Sequence, residues 1–271
     1  LITHFSHIQA QTHEVFVKQA FDWQEIDTEI DQETRDKFIH SVLQEPSFGR
    51  IKNISLEYIS DNFHFLDLNG DQELDAVYNG GYGGENEIIH LITIKNKELI
   101  VSDPLFGLIT DFQVLENKVD LKIYDYGCCA QLVDVYASFE VFCDSEEIEL
   151  KNLYAYARIK ETQNPEDFIQ EIRFEVQNDG YKLRAQPEII TDYDGLPEEV
   201  IMDGNTLAMY PKSSTGTAIA EKMDQTGRLW WFVIMDSNFK PISSLFTNGN
   251  NNISEYKCAG WMSSRFLTAQ N

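Results

Sequence analysis

Positive charge is what this sequence has least of. Lys and Arg number 21 against 45 Asp and Glu in 271 residues, a formal net charge of −24. A surface that negative repels phosphate backbones, which argues against nucleic acid and anionic membranes as partners. Long apolar runs are absent, and no stretch of about 18 apolar residues is available to span a bilayer as a helix. Cysteine is sparse: Cys128, Cys129, Cys143 and Cys258 contain no C-x-x-C pair, so neither a zinc ribbon nor a thioredoxin-type site is indicated. If 131–142 is one continuous strand it spans about 40 Å, which keeps Cys129 from Cys143, and free, mostly buried thiols are expected. Neither G-x-S-x-G nor H-E-x-x-H occurs. Cys128-Cys129 sits in Y-G-C-C-A between two expected strands, not at the head of a helix, and His40, His64 and His90 read as surface or satisfied core positions. No catalytic residue is assigned. Heptads, collagen triplets and repeats of fixed period are missing, so a complete propeller or solenoid is not supported.

What is present is a globular composition, 42% hydrophobic and 12% aromatic. The length suits two domains, or one large all-β domain. The acid is uneven. Residues 198–271 hold six basic and seven acidic side chains, leaving fifteen basic and thirty-eight acidic in 1–197. That contrast sets the expected domains at 1–195 and 196–271, with the second expected to fold alone. Residues 8–12, I-Q-A-Q-T, resemble the tail of a secretory signal peptide cut near Ala10 or Gln11, so export to the periplasm, cell surface or medium is expected.

The expected fold is mainly β with a short N-terminal helical segment. Asp31 to Leu43 is the best helix, with Phe38, Ile39, Val42 and Leu43 at helical spacing and acid in the first turns. Val15 to Trp23 suits a shorter one. Beyond residue 50 the period becomes two. Strands are expected at Ile54–Ile59, Phe63–Leu66, Ala76–Tyr78, Glu87–Ile94, Glu98–Val101, Leu108–Leu115, Val119–Tyr124, Gln131–Phe142, Leu150–Ile159, Glu171–Val176 and Tyr181–Ala185. Short turns such as Lys95-Asn96-Lys97 and Asn178-Asp179-Gly180 imply an antiparallel meander. Asn164 to Asp167 suits one helical turn, and Thr191 to Pro197 an interdomain linker. Asn79 to Glu85, with four glycines, reads as a flexible loop with Tyr82 at its tip rather than a phosphate cradle.

The most informative segment is F-L-D-L-N-G-D-Q-E-L-D-A-V-Y, residues 65–78. Side-chain oxygens fall at Asp67, Asn69, Asp71 and Asp75, and the Glu73 carbonyl completes an alternating set of the kind a hard cation requires. The other reading is an Asp/Asn-rich turn carrying no metal. Tyr78 stands where an EF-hand has its bidentate Glu. The segment instead resembles the D-x-N-G-D-x-x-x-D loop of FG-GAP/VCBS-type calcium hairpins. That resemblance implies a structural calcium on Asp67, Asn69, Asp71, Glu73 and Asp75, and it departs at Gln72, where glycine is common because φ is often positive.

The C-terminal pieces are N-T-L-A-M-Y-P-K-S-S-T-G-T-A-I-A (205–220), L-W-W-F-V (229–233) and G-W-M-S-S-R-F-L (260–267). They resemble a bacterial SH3-like domain, departing by a long 236–257 insertion and by a strand short or missing around Glu221–Thr226. Gly260 suits a tight turn, and Trp261 with Phe266 can fill one end of a small barrel. Trp230 and Trp231 are adjacent in a strand, so they point to opposite faces. One is expected in the core and the other in a groove with Tyr210; core or rim filling is the other reading for all three. Barrels of this family bind peptide or glycan-peptide ligands, which implies a secreted or envelope-associated, non-enzymatic binding protein with Tyr210, Trp230 and Trp231 as ligand residues. A cell-envelope hydrolase with a carboxylate site in the N-terminal domain is the second reading.

Overall fold

The computed structural model describes residues 19–49, 51, 54–82, 87–116, 118–126, 133–143, 147–160, 162–192, 203–247 and 257–270. The protein is mainly β, with antiparallel sheets and a short helical segment near its N-terminus. The described chain divides into two compact units, one of residues 19–126 with 136–154 and one of 133–135 with 155–270. The Cys128-Cys129 pair, the signal-like 8–12 segment, most of the Val15–Trp23 helix and most of the expected linker lie outside the described residues.

In the first unit, helix α1 (Gln32–Val42) starts where Asp31 accepts a hydrogen bond from the Thr34 amide at 3.0 Å, satisfying one orphan N–H of the first turn. It buries Phe38, Ile39 and Val42. A second helix, α2 (Leu56–Asp61), replaces the strand expected at Ile54–Ile59. Ser55 caps it by accepting from the Tyr58 amide, and Ile59 alone turns inward, so a local cap outweighs the β-prone composition. Arg35 ties α1 to the C-terminal end of α2 and the residues just beyond it, donating to the carbonyls of Ser60 at 2.6 Å and Phe63 at 2.9 Å.

Strands β1 (Phe63–Leu66), β2 (Asp75–Gly81), β3 (Glu87–Lys95) and β4 (Glu98–Val101) form an antiparallel sheet in chain order, with β5 (Leu105–Phe106) also on β3. Asn96 and Lys97, with φ of 54° and 70°, form the two-residue turn between β3 and β4. The helices and this sheet share one core, centred on Phe38, Phe48, Phe63, Phe65 and Tyr78. Asn79 to Gly81 are strand rather than loop, and Tyr82 packs against that core. Strands β6 (Leu108–Val114), β7 (Val119–Asp125), β8 (Val133–Phe142) and β9 (Glu149–Ile159) come next, in meander order. Glu140 takes Lys118 at 2.6 Å and Lys151 at 2.9 Å.

The second unit holds β10 (Phe168–Val176), β11 (Tyr181–Arg184), β12 (Thr206–Tyr210), β13 (Thr215–Met223), β14 (Leu229–Met235), β15 (Ser243–Ser244), β16 (Lys257–Ser263) and β17 (Leu267–Ala269). Its path runs β17-β10-β13-β14-β16; β11 bridges β16 to β12, and β12 carries β15. Residues 164–167 form no helix. The strand before the Trp-rich strand is neither short nor missing: β13 extends to Met223. Gly260 lies inside β16 and makes no turn. A side chain there would bring its Cβ within 3.0 Å of the Arg184 carbonyl oxygen and Leu183, so the glycine permits close approach of β11. Because β10 and β11 pair with β13, β17, β12 and β16, residues 168–184 join this unit, and contacts divide the chain elsewhere than charge does.

Candidate functional site

The 67–75 loop is built from side chains that cap its own backbone. Asp67 Oδ1 accepts from Gly70 N at 2.7 Å, and its Oδ2 from Gln72 N at 2.9 Å. Asn69 Oδ1 accepts from Asp71 N, and Asp71 Oδ1 from Glu73 N at 2.8 Å. These bonds curl the chain so tightly that Gln72 takes a φ of 67°, a left-handed conformation that favours glycine. Asp75 opens β2 and is fully buried. Its two oxygens accept from Leu68 N at 2.9 Å and Ile94 N at 3.2 Å, tying loop to β3. Burial pushes its carboxyl up to about 7, and the neighbouring Asp71 and Asp67 charges push the same way. Among the described residues, no Lys or Arg forms an ion pair with these three aspartates. Also among the described residues, no three His, Cys, Asp or Glu side chains stand close enough as placed to hold a metal. Each carboxylate oxygen that accepts one bond keeps a second lone pair, so the side-chain oxygens of Asp67, Asn69, Asp71 and Asp75 are of the type that a hard cation takes.

The expected aromatic groove is not formed by its three residues. Tyr210, Trp230 and Trp231 are 1%, 1% and 9% exposed. Tyr210 and Trp231 belong to one core with Phe174, Leu183 and Met262. Trp230 does point to the opposite face of β14, as alternation requires, but that face is covered too. Five of the seven β14 residues are buried, because the strand lies between β13 and β16 with both surfaces packed. Trp230 Nε1 donates to Asp224 at 2.9 Å. The Trp261 indole is fully buried and donates to the Gln163 carbonyl, whereas Phe266 is 43% exposed.

One edge of Trp230 reaches a cleft of about 290 Å³ in the second unit, bordered also by Tyr181 and Phe266. Tyr181 is held there by donating to the Ser263 carbonyl at 2.6 Å. In the first unit a groove of about 900 Å³ runs beside α1. Its carboxylates, Glu45 and Glu98, share it with Lys37 and Lys97, a rim of mixed sign rather than an acidic cluster.

Histidines and thiols occupy structural positions. His64 stacks on Trp23 at 4.1 Å and contacts Asp27 at 3.3 Å; His90 bonds the Ser102 carbonyl at 3.1 Å; His40 bonds the Asp36 carbonyl one turn back. Burial lowers the pKa of both His64 and His90. Cys143 and Cys258 are buried. Burial pushes the Cys258 thiol up to about 11, although the Tyr210 hydroxyl bonds to it, so little thiolate is available there. Set against known proteins, the chain matches no family model, no curated protein and no solved structure.

Proposed function

We propose that this chain is a non-enzymatic binding protein, exported to the cell envelope or beyond, with a calcium-pinned N-terminal sheet and an SH3-like C-terminal module that carries the ligand surface. The observation that carries the reading is the shape of the 67–75 loop. Gln72 adopts the left-handed conformation of a D-x-N-G-D-x-x-x-D calcium loop despite lacking the glycine that makes it easy, and buried Asp75 lies beside two further carboxylates with no basic partner among the described residues. Asp67, Asn69 and Asp71 side chains, the Glu73 carbonyl and Asp75 would hold the ion. Calcium there supplies charge neutralisation, not chemistry on a substrate, since all its ligands come from one contiguous loop.

The SH3-like reading is supported by where its motif residues fall: 205–220 on β12 and β13, 229–233 on β14, and 260–267 on β16 and the turn beyond it. The ligand surface moves from Tyr210 and Trp231, which are core, to the cleft beside Trp230, where Phe266 meets solvent. A peptide or glycan-peptide end suits a cleft of that size, at the lower end of ligand pockets.

The loop is tested by thermal unfolding of the intact chain in chelator and in millimolar calcium. Binding to the folded state alone stabilises by about 2.7 kcal/mol at a hundredfold excess over Kd. The midpoint rises with calcium, and Asp71→Ala abolishes the rise. An unchanged midpoint sinks the calcium reading.

A further inference from the structure

The cleft beside Trp230 has a charge opposite to that of the molecule. Lys182, Arg184, Arg228 and Arg265 line it, and no carboxylate does among the described residues, in a chain of net charge −24. Strand register assembles the group from four places. Lys182 and Arg184 alternate on β11, so both point to one face. Arg228 immediately precedes β14, and Arg265 lies just past β16, with Arg184 opposite Trp261 and Trp230 opposite Ser263.

Among the described residues these cations are only partly compensated, the Asp203 charge acting on Arg184 as well as Lys182. Lys182 pairs with Asp203 at 3.1 Å. Arg184 is only 9% exposed, and among the described residues its guanidinium donates to neutral oxygens, Asn205 Oδ1 at 2.8 Å and Thr206 Oγ1 at 3.3 Å. Burial and the nearby Arg228 charge both pull its pKa down. The Arg228 guanidinium sits over the Trp230 ring at 5.7 Å, and its Nε is buried with no hydrogen-bond partner among the described residues. A buried guanidinium such as that of Arg184, beside the like charge of half-buried Arg228, destabilises a fold unless an anion joins them. Neutral side chains hold Arg184 from behind and an indole supports Arg228, so both forks are oriented before any ligand arrives.

Resting on the placement of the ligand surface at this cleft, we infer that it binds the carboxylate terminus of a peptide, with the carboxylate on Arg184 and Arg228 and the last side chain against Trp230 and Phe266. A planar carboxylate matches a guanidinium fork. The exposed Phe266 and Ile189 at the rim favour an anion carried on an apolar body over a hydrated inorganic ion.

Calorimetric titration of the intact chain tests this with three probes: N-acetyl-alanyl-alanyl-leucine, its C-terminal amide, and inorganic phosphate. The acid is expected to bind at least about tenfold more tightly than the amide, and more weakly as salt rises. Arg228→Gln is expected to lower acid affinity by about tenfold or more while leaving the thermal midpoint unchanged or raised, because a like-charge neighbour of Arg184 is gone. Arg265→Gln, on the exposed turn, gives a second and smaller loss. Equal binding of acid and amide, insensitive to Arg228→Gln, overturns the carboxylate inference and leaves the cleft as ligand surface. Tighter binding of phosphate than of the acid also overturns it, in favour of a phosphate-bearing ligand. A lowered midpoint with unchanged affinity in Arg228→Gln assigns that arginine a structural role and refutes the inference. Binding of none of the three probes to the folded chain overturns both the inference and the placement.

Discussion

Cutting the chain at residue 196 is a sharp perturbation, because charge and contacts disagree about what it removes. A fragment of 196–271 keeps β12 to β17 but loses β10 and β11. With them go Phe174, Val176 and Leu183, all fully buried in the core that holds Trp231 and Tyr210. Full burial of such side chains is worth about 1.5–3 kcal/mol each, so the three together contribute about 4.5–9 kcal/mol. A domain is stable by only about 5–15 kcal/mol in total. The cut also strips β17 of its pairing with β10 and β12 of its pairing with β11. The 196–271 fragment is therefore expected to lack a cooperative urea transition and near-ultraviolet circular dichroism. A fragment of 155–271, which retains both strands, is expected to show both. Cooperative unfolding of 196–271 at a midpoint close to that of 155–271 would refute the assignment of β10 and β11 to this core.

Two single positions carry further expected outcomes. Gln72→Gly relieves a left-handed backbone at an exposed site and is expected to raise the midpoint by the equivalent of up to about 1 kcal/mol, with and without calcium; a lowered midpoint would show that the Gln72 side chain matters to the loop. Burial depresses the folded-state pKa of His90, so the unfolded chain binds the proton first and this contribution to stability, complete above about pH 6.5, is lost as pH falls through the folded value. His90→Asn keeps a donor for the Ser102 carbonyl without titrating, and is expected to flatten the acid-side fall of the midpoint; Asp75, whose pKa is raised, contributes the opposite slope between about pH 4 and 7, so the measurement is the difference between variant and parent.

Local signals in the sequence were dependable where local chemistry decides. The helix expected at Asp31 to Leu43 forms over Gln32–Val42 with Asp31 as its cap, Asn96-Lys97 turned the β3–β4 hairpin, and Gln72 took the positive φ expected of its place in the loop. Where a local feature competed with composition, the cap prevailed: Ser55 made a helix of a segment whose Ile and Tyr content suggested a strand. Properties that belong to tertiary packing were not legible. Alternation correctly sent Trp230 and Trp231 to opposite faces, but whether both faces are covered depends on β13, β16 and what packs over them. Gly260 suggested a tight turn, whereas the register of β11 shows that it serves close approach between strands. The domain division misled because net charge describes surface, whereas Phe174 and Leu183 record core membership. The arginine cleft had one faint sequence signal, the alternation of Lys182 and Arg184; Arg228 and Arg265 join only through long-range pairing.

The same long-range pairing has a kinetic consequence. Among the described residues of the second unit, β13 and β14 alone form a tight local hairpin, closed by the Asp224–Arg228 turn. Arg184 meets Trp261, and Val176 meets Leu267, across most of the unit's length in sequence. Chain entropy must be spent closing those loops before any of the contacts stabilises the structure, so folding is slow compared with helical domains of equal size. The hairpin forms early and waits, exposing Trp231 and Val233, until β16 and β10 arrive on its two edges. That interval, rather than the finished fold, is when this unit is most open to aggregation and to rescue by a chaperone.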